Sequence, residues 1–355
     1  MTNLREIKAA GLGALVVAIY MALVLMSGRV DLGTFSRLLS FYIGIALTLW
    51  IFLGGVTVLG QLVINSRKSG KEPFLAAFAT NLVRDRWQRD RCVSLVWPPL
   101  LFATLLASFN AFKQMILPLA GFGWDPILAE ADRALFFGTD PWRITHAVLG
   151  SPPATLLIDR AYHGWFVPMS LGLIACAWMP GSTFRLRTQY MLSYIAVWIG
   201  IGSILAFLMP SAGPCFYEHY VGGNTGFHEL LQRMTATEAA TGERLTSLGN
   251  QAMLMKMHGT DTLIIGGGIS AMPSVHNALA ALFALAAFQL NRTAGWLVAI
   301  YAAAIWIGSI HLGWHYALDG VVGVAMTLGI WIVCGRIAAM LDGESRTTGV
   351  AAAFA

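Results

Sequence analysis

Residues 272–319 read MPSVHNALAALFALAAFQLNRTAGWLVAIYAAAIWIGSIHLGWHYALD. Two histidines stand at the mouths of apolar runs, His276 in the MPSVH stretch at 272–276 and His315 in the HYALD stretch at 315–319. An ionisable side chain beside a membrane-length apolar run is costly to keep and marks a site. The two histidines lie 39 residues apart, the length of about two bilayer-spanning helices at roughly 20 residues each. One span across and one span back brings the second motif to the face that carries the first.

Outward from this hairpin the rest of the chain has the same character. Of 355 residues, 57% are hydrophobic and only 12% charged, and the mean hydropathy is +0.65. Such a chain has more apolar surface than a water-soluble globule can bury, which implies a polytopic membrane protein. Apolar stretches predict about eight spans, at 9–27, 40–65, 93–117, 154–178, 188–209, 273–290, 294–312 and 316–337. Backbone polar groups in hydrocarbon are satisfied within a helix, so the expected fold class is all-α, a polytopic membrane helical bundle. The first apolar run follows Arg5 and Lys8 as a signal peptide would, but its length and the lack of a small-x-small cleavage site favour a retained span. The four cysteines, Cys92, Cys176, Cys215 and Cys334, show no close ligand spacing and indicate neither a disulfide framework nor a zinc site.

Basic residues set the expected orientation. Arg67, Lys68, Lys71, Arg84, Arg86, Arg89 and Arg91 crowd the segment between the second and third spans and place it in the cytoplasm. Both histidine motifs then face the periplasm or a lumen, with a bacterial inner membrane as the expected location. Within that segment, 73–91 interleaves apolar and basic residues as a helix lying at the headgroup layer does, or as a loop that only fixes topology. The stretch WDPILAEADRALFFGTDPWR at 124–143 is too short and polar to span and reads as an outer helix capping the bundle. The longest segment outside the spans, 211–270, reads as a lid that shapes the substrate site. Its Gly266-Gly267-Gly268 run is equally a hinge. The expected organisation is an N-terminal pair of spans with the basic segment (1–92), a membrane domain (93–340) and a C-terminal tail (341–355). Topology and anionic lipid account for the basic cluster, so nucleic acid is not an expected partner. The helices carry no signature of an oligomeric state.

His315 and Asp319 are four residues apart and share one face of a helix, so the carboxylate can accept a proton from one ring nitrogen. That fixes the tautomer and leaves the other nitrogen a better nucleophile. The bland reading is a polar helix end with a satisfied histidine. His311 and His315 also share the i, i+4 spacing of a metal pair, but neither an adjacent glutamate nor an obvious third ligand accompanies them. Pro273 suits the first turn of a helix, leaving the N–H groups of Ser274 and Val275 for an anion, with the Ser274 hydroxyl as a further donor. His276 in the same turn is placed to protonate a leaving alkoxide.

The Pro-Ser-x-His at 273–276 and the His-x-x-x-Asp at 315–319 resemble the motifs of the type 2 phosphatidic acid phosphatase superfamily. The resemblance implies a six-helix phosphatase-like core and action on phosphorylated lipids at a membrane surface. It implies His315 as the nucleophile that forms a phosphohistidine, Asp319 as its orienting partner and His276 as the acid, with no metal and no cofactor. Three further stretches, at 132–141 (DRALFFGTDP), 162–168 (YHGWFVP) and 210–218 (PSAGPCFYE), are similar to the branch of fungal inositol phosphorylceramide synthase and its bacterial relatives. That branch moves a phosphorylated head group between lipids or hydrolyses a lipid phosphate.

The chain departs from the family pattern at two basic positions. Ser309 stands six residues before His315 where relatives have arginine, and Cys215 stands where many have another. Arg133, Arg160 and Lys256 are the candidates to meet the phosphate charge, each with an ordinary alternative as a headgroup anchor. Tyr217, beside Glu218, and His163 complete the candidate substrate-binding set; for His163 the alternative is a membrane histidine bonded to a neighbouring helix. The expected function is an integral-membrane lipid phosphotransferase or phosphatase acting on a phospholipid, sphingolipid or polyprenyl phosphate, with a lipid, sugar or water acceptor. The rival is a lipid-binding or lipid-transport protein that keeps the fold without the chemistry.

Overall fold

A computed structural model describes residues 2–68, 89–179, 183–223, 226–257 and 263–343. The interfacial helix expected at 73–91 lies almost wholly outside these residues, as does most of the C-terminal tail. The described residues form helices and connecting segments without strands, as backbone satisfaction in hydrocarbon requires. Helices α1 (Thr2–Met26), α2 (Leu32–Lys68) and α3 (Arg89–Ala120) form an N-terminal layer. Four helices, α4 (Asp125–Leu135), α5 (Pro141–Leu149), α6 (Pro152–His163) and α7 (Phe166–Ala175), lead to α8 (Phe184–Ala196), which continues as a π-helix over Val197–Leu205. Beyond it come α9 (Phe227–Thr241), α10 (Thr246–Met257), α11 (Val275–Leu290), α12 (Arg292–His311) and α13 (Ala317–Asp342).

Among the described residues six helices are long and apolar enough to cross a membrane, and a further apolar helix, Val275–Leu290, is shorter. The eight-span reading differs from this at two places. The apolar run at 154–178 divides into two shorter helices: α6 ends at His163, a hydrogen-bonded turn at Gly164 and Trp165 follows, and α7 starts at Phe166. The run at 273–290 loses its first two residues to an N-cap, which leaves α11 with 16 residues.

α11 and α12 pack along their length as an antiparallel hairpin. Asn291 makes the tight turn, its side chain accepting from the N–H groups of Thr293 (2.8 Å) and Ala294 (3.2 Å). α13 packs against α8 and α11. At Gly323 it passes so close to α11 that a β-carbon would come 2.7 Å from the Ser274 carbonyl oxygen. α1 and α2 pack on α3, and Val17, Tyr20 and Phe35 join the same buried core as the later helices. At the far end of the bundle from the histidine motifs, Arg5 pairs with Asp342 and Arg187 with Glu6, tying α1 to α13 and α8.

The described residues of the 211–270 segment include two helices of twelve residues or more, α9 and α10. α9 is bounded by Gly226 and Gly242, both left-handed, the second closing a helix C-terminus as glycine does without steric cost. α10 starts where the Thr246 and Ser247 N–H groups donate to the buried Asp159 carboxylate, at 2.8 and 3.0 Å. Asp159 lies on α6, so α10 is fixed to the bundle at its first turn.

The outer helix expected within 124–143 is α4, and its buried face is Asp125, Leu128, Ala129 and Asp132. Asp125 accepts from the N–H groups of Ala212 (2.7 Å) and Gly213 (2.9 Å) and from the Tyr316 hydroxyl (2.8 Å). Burial pushes its carboxyl above the usual range, and the three donors work against that rise. Asp125→Ala leaves three buried donors unpaired, so we expect a loss on the order of 3 to 5 kcal/mol. The check is a lower Tm and an earlier denaturant midpoint in detergent; an unchanged Tm would contradict the role given to Asp125.

Candidate active site

The stretch that carries His315 is bonded on every side. The Trp314 and His315 N–H groups donate to the Ser309 carbonyl at 2.9 and 3.1 Å, and Gln251 donates to the Leu312 carbonyl at 3.0 Å. The α13 N-terminus meets Asp132, whose carboxylate accepts from the N–H groups of Ala317 (2.6 Å) and Leu318 (3.0 Å). A carboxylate at a helix N-terminus is favoured by the free N–H groups and the dipole. Burial nevertheless raises the Asp132 carboxyl to about 6, with Asp319 and Asp140 adding to the rise. Asp125 and Asp132, seven residues apart on one face of α4, thus set the position of the HYALD motif from nearly two hundred residues away.

His315 Nδ1 lies 3.2 Å from Asp319 Oδ2, which also accepts from the Tyr316 N–H at 3.0 Å. Asp319 is fully buried and His315 is 6% exposed. With Nδ1–H donated to the carboxylate, the His315 ring holds its other nitrogen, Nε2, as a lone-pair donor.

His276 lies in the first turn of α11, its ring centroid 5.8 Å from that of His315. It stacks on Tyr162 (5.1 Å) and tilts against Trp165 (4.2 Å), whose indole N–H donates to the His276 carbonyl at 3.1 Å. The Tyr162 hydroxyl is buried and has no hydrogen-bond partner among the described residues. His276, His315 and Tyr162 line one cavity of about 560 Å³. Aromatic and aliphatic side chains from α2, α3, α7 and α8 make most of its wall, among them Tyr42, Phe109 and Trp198. The glycine-rich segment at 265–270 completes it, so the C-terminal part of the 211–270 segment does border the site.

Ser274 plays a different part from the one its sequence position suggests. The helix begins at Val275, two residues later than a helix opening on Pro273 would. The Ser274 N–H donates to the Asp319 carbonyl at 3.1 Å, and its hydroxyl accepts from the N–H and Nδ2 of Asn277 at 3.3 and 3.0 Å. Ser274 is therefore the N-cap of α11, fully buried and absent from the cavity wall. Through it the two histidine motifs are bonded directly to each other.

The proposed phosphate-binding cations are also elsewhere. Arg133 Nε pairs with Asp140 at 2.6 Å, Arg160 pairs with Glu243 at the surface, and Lys256 is exposed near the end of α10. None of the three borders the cavity. Tyr217 is buried against Phe227 (5.3 Å) and is likewise off the wall. His163 does line the cavity, with Nδ1 donating to the Asp159 carbonyl (2.9 Å) and Nε2 beside the Asn250 amide (3.2 Å). The His311 ring turns away from His315: it stacks on His146 at 3.8 Å and meets Thr155 (3.0 Å) and Thr145 (3.3 Å). The spacing of His311 and His315 therefore does not bring their rings to a common ligand position.

Sequence reasoning passed over one cavity residue, Lys113 on α3. A lone cation near the end of an apolar span was the available signal. Ser309 is fully buried, donating to the Trp306 carbonyl at 2.7 Å and accepting from Asn277 at 3.3 Å.

Comparison with known families matches residues 126–333 to the PAP2 superfamily, whose members are generally phosphatases and phosphotransferases. The matched region contains both histidine motifs and α4 through most of α13. No curated protein and no solved structure matches the chain.

Proposed function

Because the chain belongs to the PAP2 superfamily, we propose that it is a membrane lipid phosphatase or phosphotransferase that works through a phosphohistidine at His315. The observation that carries this reading is the His315–Asp319 pair, with the His276 ring beside it, at the wall of a largely apolar cavity. His315 Nε2 attacks phosphorus, an N–P bond forms and the P–O bond to the lipid breaks. The leaving alkoxide takes a proton from His276. Asp319 stays ionised and balances the imidazolium-like charge that develops on His315. An acceptor oxygen, its proton removed by His276, then attacks phosphorus and frees His315. Water as acceptor gives hydrolysis; a lipid or sugar hydroxyl gives transfer.

The aromatic wall and the similarity of 132–141, 162–168 and 210–218 to inositol phosphorylceramide synthase relatives favour transfer to a lipid acceptor. The basic residues favour a site on the periplasmic or lumenal face. Incubation of the purified protein with a panel of phospholipids, ceramide and polyprenyl phosphates, following free phosphate and new lipids together, tests both points. New phosphorylated lipid is the expected product; free phosphate alone would make the protein a phosphatase, and no product across the panel would favour the non-catalytic lipid-binding reading.

The role given to His276 makes its own expectation. With an alkyl phosphate donor, whose alkoxide needs a proton, His276→Gln should slow phosphoenzyme formation about 100-fold or more. With p-nitrophenyl phosphate, whose leaving group needs none, the loss should be far smaller. Equal losses on both donors would assign His276 to packing against Tyr162 and Trp165 instead.

A further inference from the structure

A phosphate ester carries negative charge, and charge stabilisation does much of the work in phosphoryl transfer. The two positions where the resemblance implies arginine hold Ser309 and Cys215, both neutral and both buried. Arg133 and Arg160 are committed to carboxylates, and Lys256 is off the cavity. Among the described residues the cavity wall includes one lysine or arginine, Lys113, and no carboxylate.

Lys113 comes from α3, which lies outside the matched region. It borders the same cavity as His276 and His315, within electrostatic reach of His276. The glycine-rich segment fixes the turn of α3 that bears it. Gly268, at φ +86°, lies so close that a β-carbon would come 2.8 Å from the Lys113 carbonyl carbon. Its positive φ and that contact together require glycine. Gln114, the next residue, clamps the segment by donating to the Ile264 carbonyl and accepting from the Ile264 N–H, both at 2.9 Å. An ammonium in an apolar span costs free energy, and here the backbone that bears it is fixed beside the cavity that the residue lines.

We propose that Lys113 is the phosphate-anchoring cation of this site, its ammonium pairing with a non-bridging oxygen of the donor phosphate while His315 faces phosphorus. The inference rests on the phosphoryl-transfer reading of the cavity. It assigns the missing basic function to an N-terminal helix, so that α3 and the later motif helices make one site.

The test is binding by the full-length protein in detergent, with inorganic phosphate and a short-chain phosphatidic acid titrated separately. Lys113→Met should weaken both by roughly tenfold or more. Lys113→Arg should hold inorganic phosphate within about threefold of wild type, since it keeps the charge. A Tm within about 5 °C of wild type marks each variant as folded. Should Lys113→Met not fold, loss of phosphate binding in the arginine variant would count against the proposal. Unchanged phosphate affinity in a folded Lys113→Met would overturn it, as would weakening confined to phosphatidic acid. Phosphohistidine formation at His315, measured independently on the wild type, shows whether the phosphoryl-transfer reading stands when the lysine proposal fails.

Discussion

Replacing His315 with alanine is expected to lower turnover of the lipid donor by about 10,000-fold or more, the scale seen when a covalent nucleophile is removed. Among the described residues one other cavity histidine has a carboxylate beside it: His163, with Nδ1 3.4 Å from Asp159, but its Nε2 meets the Asn250 amide at 3.2 Å. His276 lacks a carboxylate partner like Asp319, and the His311 ring is engaged with His146, Thr145 and Thr155. The fold should survive, because the backbone around His315 is held by Ser309, Asp132 and Asp319 and not by the ring itself. Donor binding should therefore remain measurable while turnover disappears. Unchanged turnover would assign the chemistry to another group.

Asp319→Asn is expected to cost roughly 1,000- to 10,000-fold, by analogy with the aspartate of a catalytic triad. The asparagine oxygen can still accept from the Tyr316 N–H, so the first turn of α13 keeps one of its bonds. In that orientation the same oxygen still faces His315 Nδ1 but is neutral and no longer balances charge on the ring; in the flipped orientation the Tyr316 bond is lost and the amide NH2 imposes the wrong tautomer. A change in Tm much smaller than the change in rate separates this role from a structural one. A rate loss that merely tracks unfolding would reduce Asp319 to a buried helix-terminal residue.

The sequence makes the centre of the site legible because its logic is local. His315 and Asp319 are one helical turn apart, and the 39-residue spacing fits one helix across and one back, so both histidines meet at one cavity. The N-cap at Ser274 was also within reach, since serine three residues before Asn277 is an ordinary helix start. Proline at the first turn is the competing signal, and the helix begins two residues after it, at Val275. The partners of the surface cations were not legible. Arg160 meets Glu243 and Arg133 meets Asp140 through tertiary packing, and no spacing rule anticipates the first of these. The same holds for Asp125 and Asp132, whose acceptors serve residues 185 to 191 positions away. Hydropathy gives no sign of the two-residue turn at Gly164 and Trp165, where the apolar run at 154–178 divides into two shorter helices.

The central claim is that His315 carries the phosphoryl group between donor and acceptor. The most direct test is a rapid acid-free quench of the wild-type protein during turnover of a phosphorus-labelled lipid phosphate, followed by peptide mapping. The account requires label on the His315 peptide that is labile to acid, stable to alkali and chased off by acceptor. Turnover that leaves His315 unlabelled, or label that maps to another residue, would contradict it.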